Sequence, residues 1–491
     1  MKRIAYISLL IGTLTLNSCS GILDTPPTST PSEDVFWQSK ADFESALAAC
    51  YQGMQEETLS WIIPTFDCLT DNAYGNQGSS KVYNADMIQA DNIDPSTTGL
   101  IANIYKEAYK AIARLNLFLD QLNKYQGGDI ASVRNQMEGE ALFLRSYCYY
   151  LLYMFYGEAP YIDKPLTLET QNAPKNTLDE VYTNLIRDLQ AAITKMDDKT
   201  YKAAKGHATQ GAAKALKARV LMFHAYGDDG KVAHKDEVEE AYTLLNTITG
   251  YSLDENYADI FRPANQESSD EIVFSIKFLA PNSYHSFDNS YGNYGMLNPV
   301  EDLVKEYEEG DNRMVQTVAF NDKYQWEGGE VINLTKSSNG KRMMKWLRPV
   351  LKQSDYWNQT ERSEQDIVIL RWGELLLLKA EAANELDMAG VADMVNLVRE
   401  RAGLSALPEE GVSKEQMREA IRHERRVETP FELIRYYDMR RWKIMDKLNG
   451  LVLDPLYPNI IPAWSKKHEY LPLPQGQIDF SNGVLVQNPN Y

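Results

Sequence analysis

Two stretches of the chain are rich in tyrosine, asparagine, aspartate and glycine, which are residue types that suit the binding of a sugar. The first runs through residues 71–78 and continues to Tyr83, and the second covers residues 282–295. Flat aromatic rings can stack on the apolar C–H faces of a sugar, while Asn, Asp and Gln side chains hydrogen-bond its hydroxyls. The candidate ligand-binding residues in these stretches, together with two tryptophans further along the chain, are Asp71, Asn72, Tyr74, Tyr83, Tyr284, Tyr291, Tyr294, Trp326 and Trp357.

These candidates also have a purely structural interpretation. Each aromatic side chain could fill the body of the protein beneath its own loop. Asp71 and Asn72 could fix their loop through side-chain-to-backbone hydrogen bonds, which is the commoner use of these residue types. The sequence leaves both interpretations open for every candidate.

Two charge-dense arrays could be mistaken for an active site. Arg371, Glu374, Glu381 and Asn384 share one side of a predicted helix, and a second array lies within residues 424–441. Catalysis would need a substrate cleft beside them. A network of ion pairs and charge-assisted hydrogen bonds between helices is the favoured interpretation.

The sequence carries none of the short motifs that mark common catalytic sites. It has no HExxH, no Gly-x-Ser-x-Gly and no glycine-rich phosphate loop, and its six histidines are scattered. Two carboxylates roughly 5–10 Å apart could hydrolyse a glycoside, but among 69 acidic residues many such pairs arise by chance. We therefore predict that the chain is not an enzyme and needs no cofactor, and a structural calcium ion stays open.

The N-terminus has the pattern of a lipoprotein signal. A positively charged start precedes an apolar run at residues 4–16, which is shorter than the ~20 apolar residues of a membrane-spanning helix. The run leads into Leu-Asn-Ser-Cys at residues 16–19, which resembles the bacterial lipobox. We predict a signal peptide at residues 1–18 and lipidation of Cys19, where several acyl chains would give stable anchoring.

Composition narrows the possible partners. The net charge is −19, and such an acidic chain would repel a phosphate backbone, so no nucleic-acid partner is predicted. No later stretch is apolar enough to cross a bilayer, so membrane contact is expected through the lipid only. Beyond Cys19 the cysteines are Cys50, Cys68 and Cys148, an odd number that gives no disulfide framework.

Periodicity predicts a mainly α fold. Tetratricopeptide-like helix pairs flank a loop-rich, irregular segment that carries a few short strands, one of them at residues 271–276. The Pro-, Thr- and Ser-rich residues 19–33 are predicted to form a flexible tether, and the length of the remainder, residues 34–491, fits one large domain or two ordinary ones. The predicted helices cover residues 41–55, 100–122, 133–156, 178–196, 211–226, 367–386, 391–401 and 414–448.

Six motifs occur in an order that resembles the SusD/RagB family of outer-membrane nutrient-binding lipoproteins, and the resemblance extends across the whole chain. Asn490 stands where glycine is usual in that family. The motifs are found at residues 19–24, 139–147 with 156–160, 370–374 with 380–382, 396–403, 421–428 with 437–442, and 471–474 with 487–491.

The resemblance implies a function that the residue patterns alone do not give. It implies a single SusD-like helical domain on the cell surface at the outer membrane, with a face that binds a glycan or another nutrient. It also implies a partner, a SusC-like TonB-dependent β-barrel transporter, which the lipoprotein covers as a lid. Three alternatives stay open: peptide cargo on the same fold, a surface glycosidase, and a helical-repeat scaffold without a small ligand.

Overall fold

The computed structural model describes residues 36–76, 82–320, 337, 339–348, 362–456, 458 and 461–491. The predicted signal peptide and tether, with Cys19, lie outside these residues, and so do Trp326 and Trp357. In chain order the described α-helices are α1 (Lys40–Gly53), α2 (Ala85–Gln89), α3 (Leu100–Lys124), α4 (Arg134–Tyr156), α5 (Leu178–Lys195), α6 (Gln210–His224), α7 (Lys235–Asn246), α8 (Glu301–Glu306), α9 (Arg313–Thr317), α10 (Trp372–Glu385), α11 (Val391–Arg401), α12 (Lys414–Glu428), α13 (Ile434–Arg441) and α14 (Gln475–Phe480).

Short strands form three separate two-stranded sheets in the described part of the chain. All three are antiparallel and join β1 to β3, β2 to β6 and β4 to β5. The β1–β3 and β2–β6 pairs bring together segments that are distant in the sequence, whereas β4 and β5 are separated by about twenty residues. The strands are β1 (Ala73–Gly75), β2 (Ile272–Ile276), β3 (Leu297–Pro299), β4 (Val318–Phe320), β5 (Lys341–Met343) and β6 (Ile367–Arg371).

The long helices pack on their neighbours in the sequence, as expected for tetratricopeptide-like pairs. Helix α4 packs against α3 and α5, α6 packs against α5 and α7, and α10 packs against α7, α11 and α12. In α3 the buried residues Ile101, Ile104, Ala108, Ile112 and Leu115 recur every three or four positions and form one apolar face. The predicted mainly α fold is confirmed.

Helix α4 lies at the centre of the packing and is buried continuously from Gly139 to Tyr156. Gly139 marks the contact between α4 and α5. A Cβ atom at this position would lie 2.5 Å from Cγ of Met196 and 3.3 Å from the backbone oxygen of Ala192. Only glycine therefore allows the two helices this close approach.

Local sequence signals explain where two helices begin and why one residue near the C-terminus has a left-handed conformation. Thr177 begins α5 and Ser413 begins α12, each with a complete capping box in which the third helical residue returns a hydrogen bond to the cap. Asn490 has a φ of 79°, a left-handed conformation that asparagine tolerates better than most residues. This conformation explains why glycine is usual at that position in the family.

Three helix predictions need correction. Residues 367–371 form strand β6 rather than the start of a helix, because they pair with β2 and carry β-branched side chains. The predicted helix at residues 414–448 ends at Glu428, where Pro430 follows and the chain turns before α13. Helix α7 was not predicted from the sequence. The strand predicted at residues 271–276 is confirmed as β2.

Two further features concern the cysteines and the apolar content of the helices. Cys50, Cys68 and Cys148 are buried free thiols, and burial raises the pKa of Cys50 to about 12. None of the three is placed to react at neutral pH. No α-helix among the described residues combines the length and the apolar content that crossing a membrane would need.

Candidate functional site

The two loops that the sequence singles out lie side by side. Strand β1 pairs with β3, and the backbone N–H of Asn76 donates to the carbonyl oxygen of Met296 at 3.0 Å. Residues 282–295, here called the tyrosine loop, therefore end next to the loop that follows Asp71. The structure brings together two candidate segments that are about two hundred residues apart in the sequence.

Two of the candidate tyrosines present their side chains to solvent. Tyr294 is 65% exposed and Tyr284 is 46% exposed. The side-chain amide of Asn76 donates to the backbone oxygen of Tyr294 at 3.5 Å, so the neighbouring loop is tied to the backbone that carries this exposed ring. An exposed tyrosine offers a ring face for stacking and a hydroxyl that can hydrogen-bond a sugar.

The tyrosine loop is held from beneath by polar contacts. The guanidinium of Arg342 donates to the backbone oxygen of Gly292, and Nε of Arg348 donates to Oδ2 of Asp288 at 2.7 Å. Burial raises the pKa of Asp288, and the nearby Arg348 opposes that rise. The backbone N–H of Tyr294 also donates to the carbonyl of Asn289 at 2.9 Å. These contacts fix the backbone on which Tyr294 is displayed.

His285 anchors the start of the tyrosine loop. Its Nε2 donates to the backbone oxygen of Gln365 at 2.8 Å, and its Nδ1 accepts from the backbone N–H of Phe287 at 3.2 Å. The imidazole also stacks on Trp61, with ring centroids 5.9 Å apart and planes 5° apart. Burial lowers the pKa of His285 to about 4, opposed by the Gln365 carbonyl, so the ring is neutral at pH 7.

Three candidate tyrosines are buried, which corrects their predicted contact with ligand. Tyr74 and Tyr291 are each 1% exposed, and Tyr83 is similarly enclosed. The hydroxyl of Tyr291 lies 2.7 Å from that of Thr65, and the hydroxyl of Tyr83 donates to Glu57 at 2.9 Å. The hydroxyls of Tyr291 and Tyr83 thus have partners inside the protein, and all three rings pack the core beneath the loops.

Asp71 and Asn72 are also buried, and their predicted role is corrected in the same way. Oδ1 and Oδ2 of Asp71 accept from Arg435 at 2.7 and 2.5 Å. Burial would raise the pKa of Asp71, but Arg435 and Arg426 outweigh it and lower the pKa to about 2. The amide of Asn72 donates to Asp67 at 2.9 Å. Both residues fix the loop before β1 rather than face a ligand.

A cleft of about 550 Å³ lies beside the start of the tyrosine loop, and sequence reasoning missed it. Its walls come from α1, from the turn before α6 and from the end of β2, three segments that no local pattern connects. Only the fold reveals that these segments meet. The lining residues are Ser45, Ala48, Ala49, Tyr51, Gln52, Met54, Gln55, Lys205, Gly206, His207, Ile276, Lys277, Asn282 and Ser283.

The first charge-dense array is a buried ion-pair network. Arg371 is 1% exposed and contacts Glu271 at 2.9 Å, Glu428 at 2.5 Å and Glu432 at 2.7 Å. The three carboxylates come from different segments: Glu271 precedes β2, Glu428 ends α12 and Glu432 follows α12. Arg371, the last residue of β6, therefore connects β6 to these segments. The structural interpretation of Arg371 is confirmed.

The second array has the same character. Arg425 contacts Glu374 at 3.3 Å and Asp438 at 2.8 Å, and Arg441 contacts Glu381 at 2.5 Å. All five side chains are buried, and their mutual pairing satisfies the charges. Burial would raise the pKa of Glu381, but Arg441 lowers it to about 2. None of these carboxylates is set up as a general acid at neutral pH.

One group of potential metal ligands occurs among the described residues. Single ligand atoms of Glu308, His423 and Glu424 lie within 4.8 Å of one another. Arg399 contacts both carboxylates, and Nε2 of His423 donates to the backbone oxygen of Glu306 at 2.7 Å. The Arg399 guanidinium thus pairs with both carboxylates and would compete with a metal ion for their oxygens.

Comparison with known proteins relates this architecture to a surface-binding class. Residues 23–222 match a family model described as starch-binding and associating with the outer membrane, and residues 282–491 match a model described as the SusD family. A SusD-like protein P2 from Formosa agariphila is 25% identical, covering 100% of this chain and 99% of its own. A second relative from that organism, SusD-like protein P25, is 24% identical and covers 99% and 97%.

Solved structures share the fold. A SusD-like protein from Bacteroides fragilis has a TM-score of 0.75 at 23% identity, covering 95% of this chain and 100% of its own. Surface glycan-binding protein A from Bacteroides thetaiotaomicron, solved in complex with laminarihexaose, has a TM-score of 0.71 at 21% identity and covers 92% and 100%. Fold and family models together define an outer-membrane-associated binding protein. The chain belongs to the SusD/RagB family.

Proposed function

We propose that this chain is a cell-surface lipoprotein that binds an oligosaccharide on the tyrosine loop and delivers it to a SusC-like TonB-dependent transporter. No bond is made or broken in this process, and no cofactor takes part. The tether and the lipid on Cys19 would keep the protein at the outer membrane, which agrees with the description of the matching family model. The protein would thus act through affinity and position alone.

The observation that carries the proposal is the display of Tyr294. Its ring is exposed, while buried contacts from Arg342 and Arg348 fix the loop beneath it. A rigid exposed ring loses little conformational entropy when a ligand stacks on it. The Asn76 amide ties the neighbouring loop to the Tyr294 backbone, and Tyr284 supplies a second exposed ring on the same loop.

The class of ligand is supported by a structural neighbour. The surface glycan-binding protein A of Bacteroides thetaiotaomicron is described in complex with laminarihexaose, a short oligosaccharide. We therefore propose an oligosaccharide, rather than a peptide, as the cargo of this chain. The buried state of the charged arrays favours binding over hydrolysis, because carboxylates in closed ion pairs cannot serve as the acid and base of a glycosidase.

Affinity electrophoresis through gels that contain single polysaccharides would test the site. The Tyr294→Ala variant should lose retention, with affinity reduced about tenfold, because a stacked aromatic face contributes roughly 1 kcal/mol or more. Tyr294→Phe keeps the ring and should keep most of the retention. Phe480→Ala is the matched control, since Phe480 is an exposed aromatic residue on α14.

The same experiment separates the alternatives. Unchanged retention in both Tyr294→Ala and Tyr284→Ala would remove the tyrosine loop as the binding site. Reproducible release of new reducing ends from the polysaccharides would contradict the binding role and support a glycosidase. Capture of a peptide pool, with no retention by any glycan, would support the peptide alternative.

A further inference from the structure

The cleft beside α1 has the size and the lining of a ligand site. Its volume of about 550 Å³ falls within the ~300–1,000 Å³ that small-molecule sites usually occupy. Buried Met54 and Ile276 contribute an apolar floor, while the amide of Gln52 and the hydroxyl of Ser45 line the rim. An apolar floor with polar groups at the edge suits a ring that has C–H faces and hydroxyls.

Three basic side chains reach this cleft because of a tight turn before α6. Lys205 and Gly206 both have positive φ, 53° and 88°. A Cβ atom on Gly206 would lie 2.4 Å from Cδ of Lys277, so glycine allows the Lys277 stem to cross the turn. The turn thereby brings Lys205, His207 and Lys277 to one wall of the cleft.

Two of these basic groups already have carboxylate partners. Lys277 pairs with the exposed Glu267, and its Nζ lies 3.7 Å from Asp366. Nδ1 of His207 lies 2.8 Å from Oε2 of Glu140, and that contact raises the pKa of His207. Both pairs leave the cleft wall electrically close to balanced.

Lys205 is different. It forms no ion pair with any carboxylate among the described residues, and no Asp or Glu belongs to the cleft lining that the structure describes. The chain as a whole carries a net charge of −19, so a concave site with an unpaired ammonium and no carboxylate in its wall is distinctive. Lys205 is therefore available to an anion from outside.

The cleft is also continuous with the proposed glycan site. Asn282 and Ser283 line the cleft and are the first two residues of the tyrosine loop, and exposed Tyr284 follows directly. The backbone N–H of Ser283 donates to the carbonyl of Leu279 at 2.9 Å, which fixes this junction. One extended ligand could contact the cleft and the tyrosine loop together.

We propose that the cleft is a second subsite, which binds an acidic sugar unit of the glycan through Lys205. The acidic group is a carboxylate or a sulfate ester, and its sugar ring lies on the apolar floor. This inference rests on the proposed function, because it assigns a charged unit to the same ligand. It adds a specificity for anionic glycans that the exposed tyrosines alone would not provide.

The experiment compares binding to three soluble glycans by isothermal titration calorimetry with the full chain purified in detergent. Polygalacturonate supplies carboxylates, carrageenan supplies sulfate esters, and laminarin is neutral. Lys205→Gln should weaken binding of at least one anionic glycan about tenfold and leave laminarin within twofold, because it removes one charge-assisted contact. Lys205→Glu should weaken it further.

Lys202→Gln is the matched control. Lys202 lies three residues away and pairs with Asp270 at 2.9 Å, outside the cleft lining. Its removal changes the net charge equally and should leave all three affinities within twofold. Thermal melting by circular dichroism checks that each variant is folded.

The outcomes separate this inference from the proposed function. An anionic glycan that loses affinity in Lys205→Gln and not in Lys202→Gln supports the subsite. The subsite would be overturned by equal losses in both variants, by unchanged anionic binding in Lys205→Glu, or by the absence of binding to either anionic glycan. If neither anionic glycan binds, retention of laminarin that depends on Tyr294 would still uphold the proposed function. If an anionic glycan binds with the same affinity in Tyr294→Ala, only the assignment of the tyrosine loop as a binding site would be contradicted.

Discussion

Removing Arg371 would test whether the buried ion-pair network stabilises the scaffold. Its guanidinium contacts Glu271, Glu428 and Glu432, and all three carboxylates are nearly inaccessible to solvent. Arg371→Met replaces the side chain with an unbranched apolar one. The carboxylates then stay buried with one positive charge fewer.

The size of the effect follows from the burial of these groups. Breaking a buried ion pair by removing one partner costs about 3–5 kcal/mol of unfolding free energy. Unfolding entropy near 60 °C is about 2.1 cal/mol/K per residue, or roughly 0.9 kcal/mol/K for a domain of ~450 residues. The melting temperature of Arg371→Met should therefore fall by about 3–5 °C.

The penalty should depend on pH in a defined direction. Burial by itself would raise the pKa of Glu428, but Arg401, Arg371 and Arg313 outweigh it and lower the pKa well below its usual range. A carboxyl with a lowered folded-state pKa stabilises the protein above its unfolded pKa and loses that contribution as the pH falls. The difference between wild type and Arg371→Met should be largest at pH 7 and smaller at pH 3, where the carboxyl is largely protonated in the unfolded chain and still ionised in the folded wild type.

Urea unfolding followed by circular dichroism at pH 7 and pH 3 would measure the loss of unfolding free energy and its dependence on pH. Thermal melting at pH 7 would measure the shift in melting temperature. Lys199→Met is the control, because it removes one partner of an exposed surface pair with Asp197. Such a pair contributes only about 0–1 kcal/mol. A loss below 1 kcal/mol in Arg371→Met at pH 7, or an equal loss at both pH values, would refute this account of the network.

Three further predictions concern other parts of the chain. His285 has a lowered folded-state pKa of about 4, so its stabilising contribution is complete above pH 6.5 and is lost as the pH falls toward 4; His285→Phe should flatten that part of a urea-stability profile. Gly139→Ala should reduce the free energy of unfolding by about 1–3 kcal/mol in the same assay, because the new Cβ meets Met196. Cys19→Ala should abolish incorporation of a labelled fatty acid and release the protein from the membrane fraction; retention of the label would contradict lipidation there.

Periodicity predicted the scaffold well where one helix face meets the core. The boundaries of α3 and α11 agree with the sequence within two residues, because their apolar stripes are set by burial. The wrong helix predictions occur where pairing with a distant segment determines the secondary structure. Residues 367–370 are an apolar run that fits a helix or a strand, and pairing with β2 makes them a strand.

The site was harder to predict because composition does not fix the direction of a side chain. Tyr291 and Tyr294 lie three residues apart in one loop, yet the first is buried and the second is exposed. The Tyr291 hydroxyl shares a hydrogen bond with the hydroxyl of Thr65, a residue 226 positions earlier in the chain. No local pattern could show that contact.

The charge-dense motif and the proposed binding face are physically connected. Arg426 of α12 donates to the backbone oxygen of Asp71 at 2.9 Å and to Oδ1 of Asn72 at 3.2 Å, and Arg435 of α13 holds the Asp71 carboxylate. These contacts fix the segment that enters β1. Because β1 pairs with β3, the same contacts also set where the tyrosine loop ends. The arginines that resemble an active site therefore position the loops on which the exposed rings are displayed.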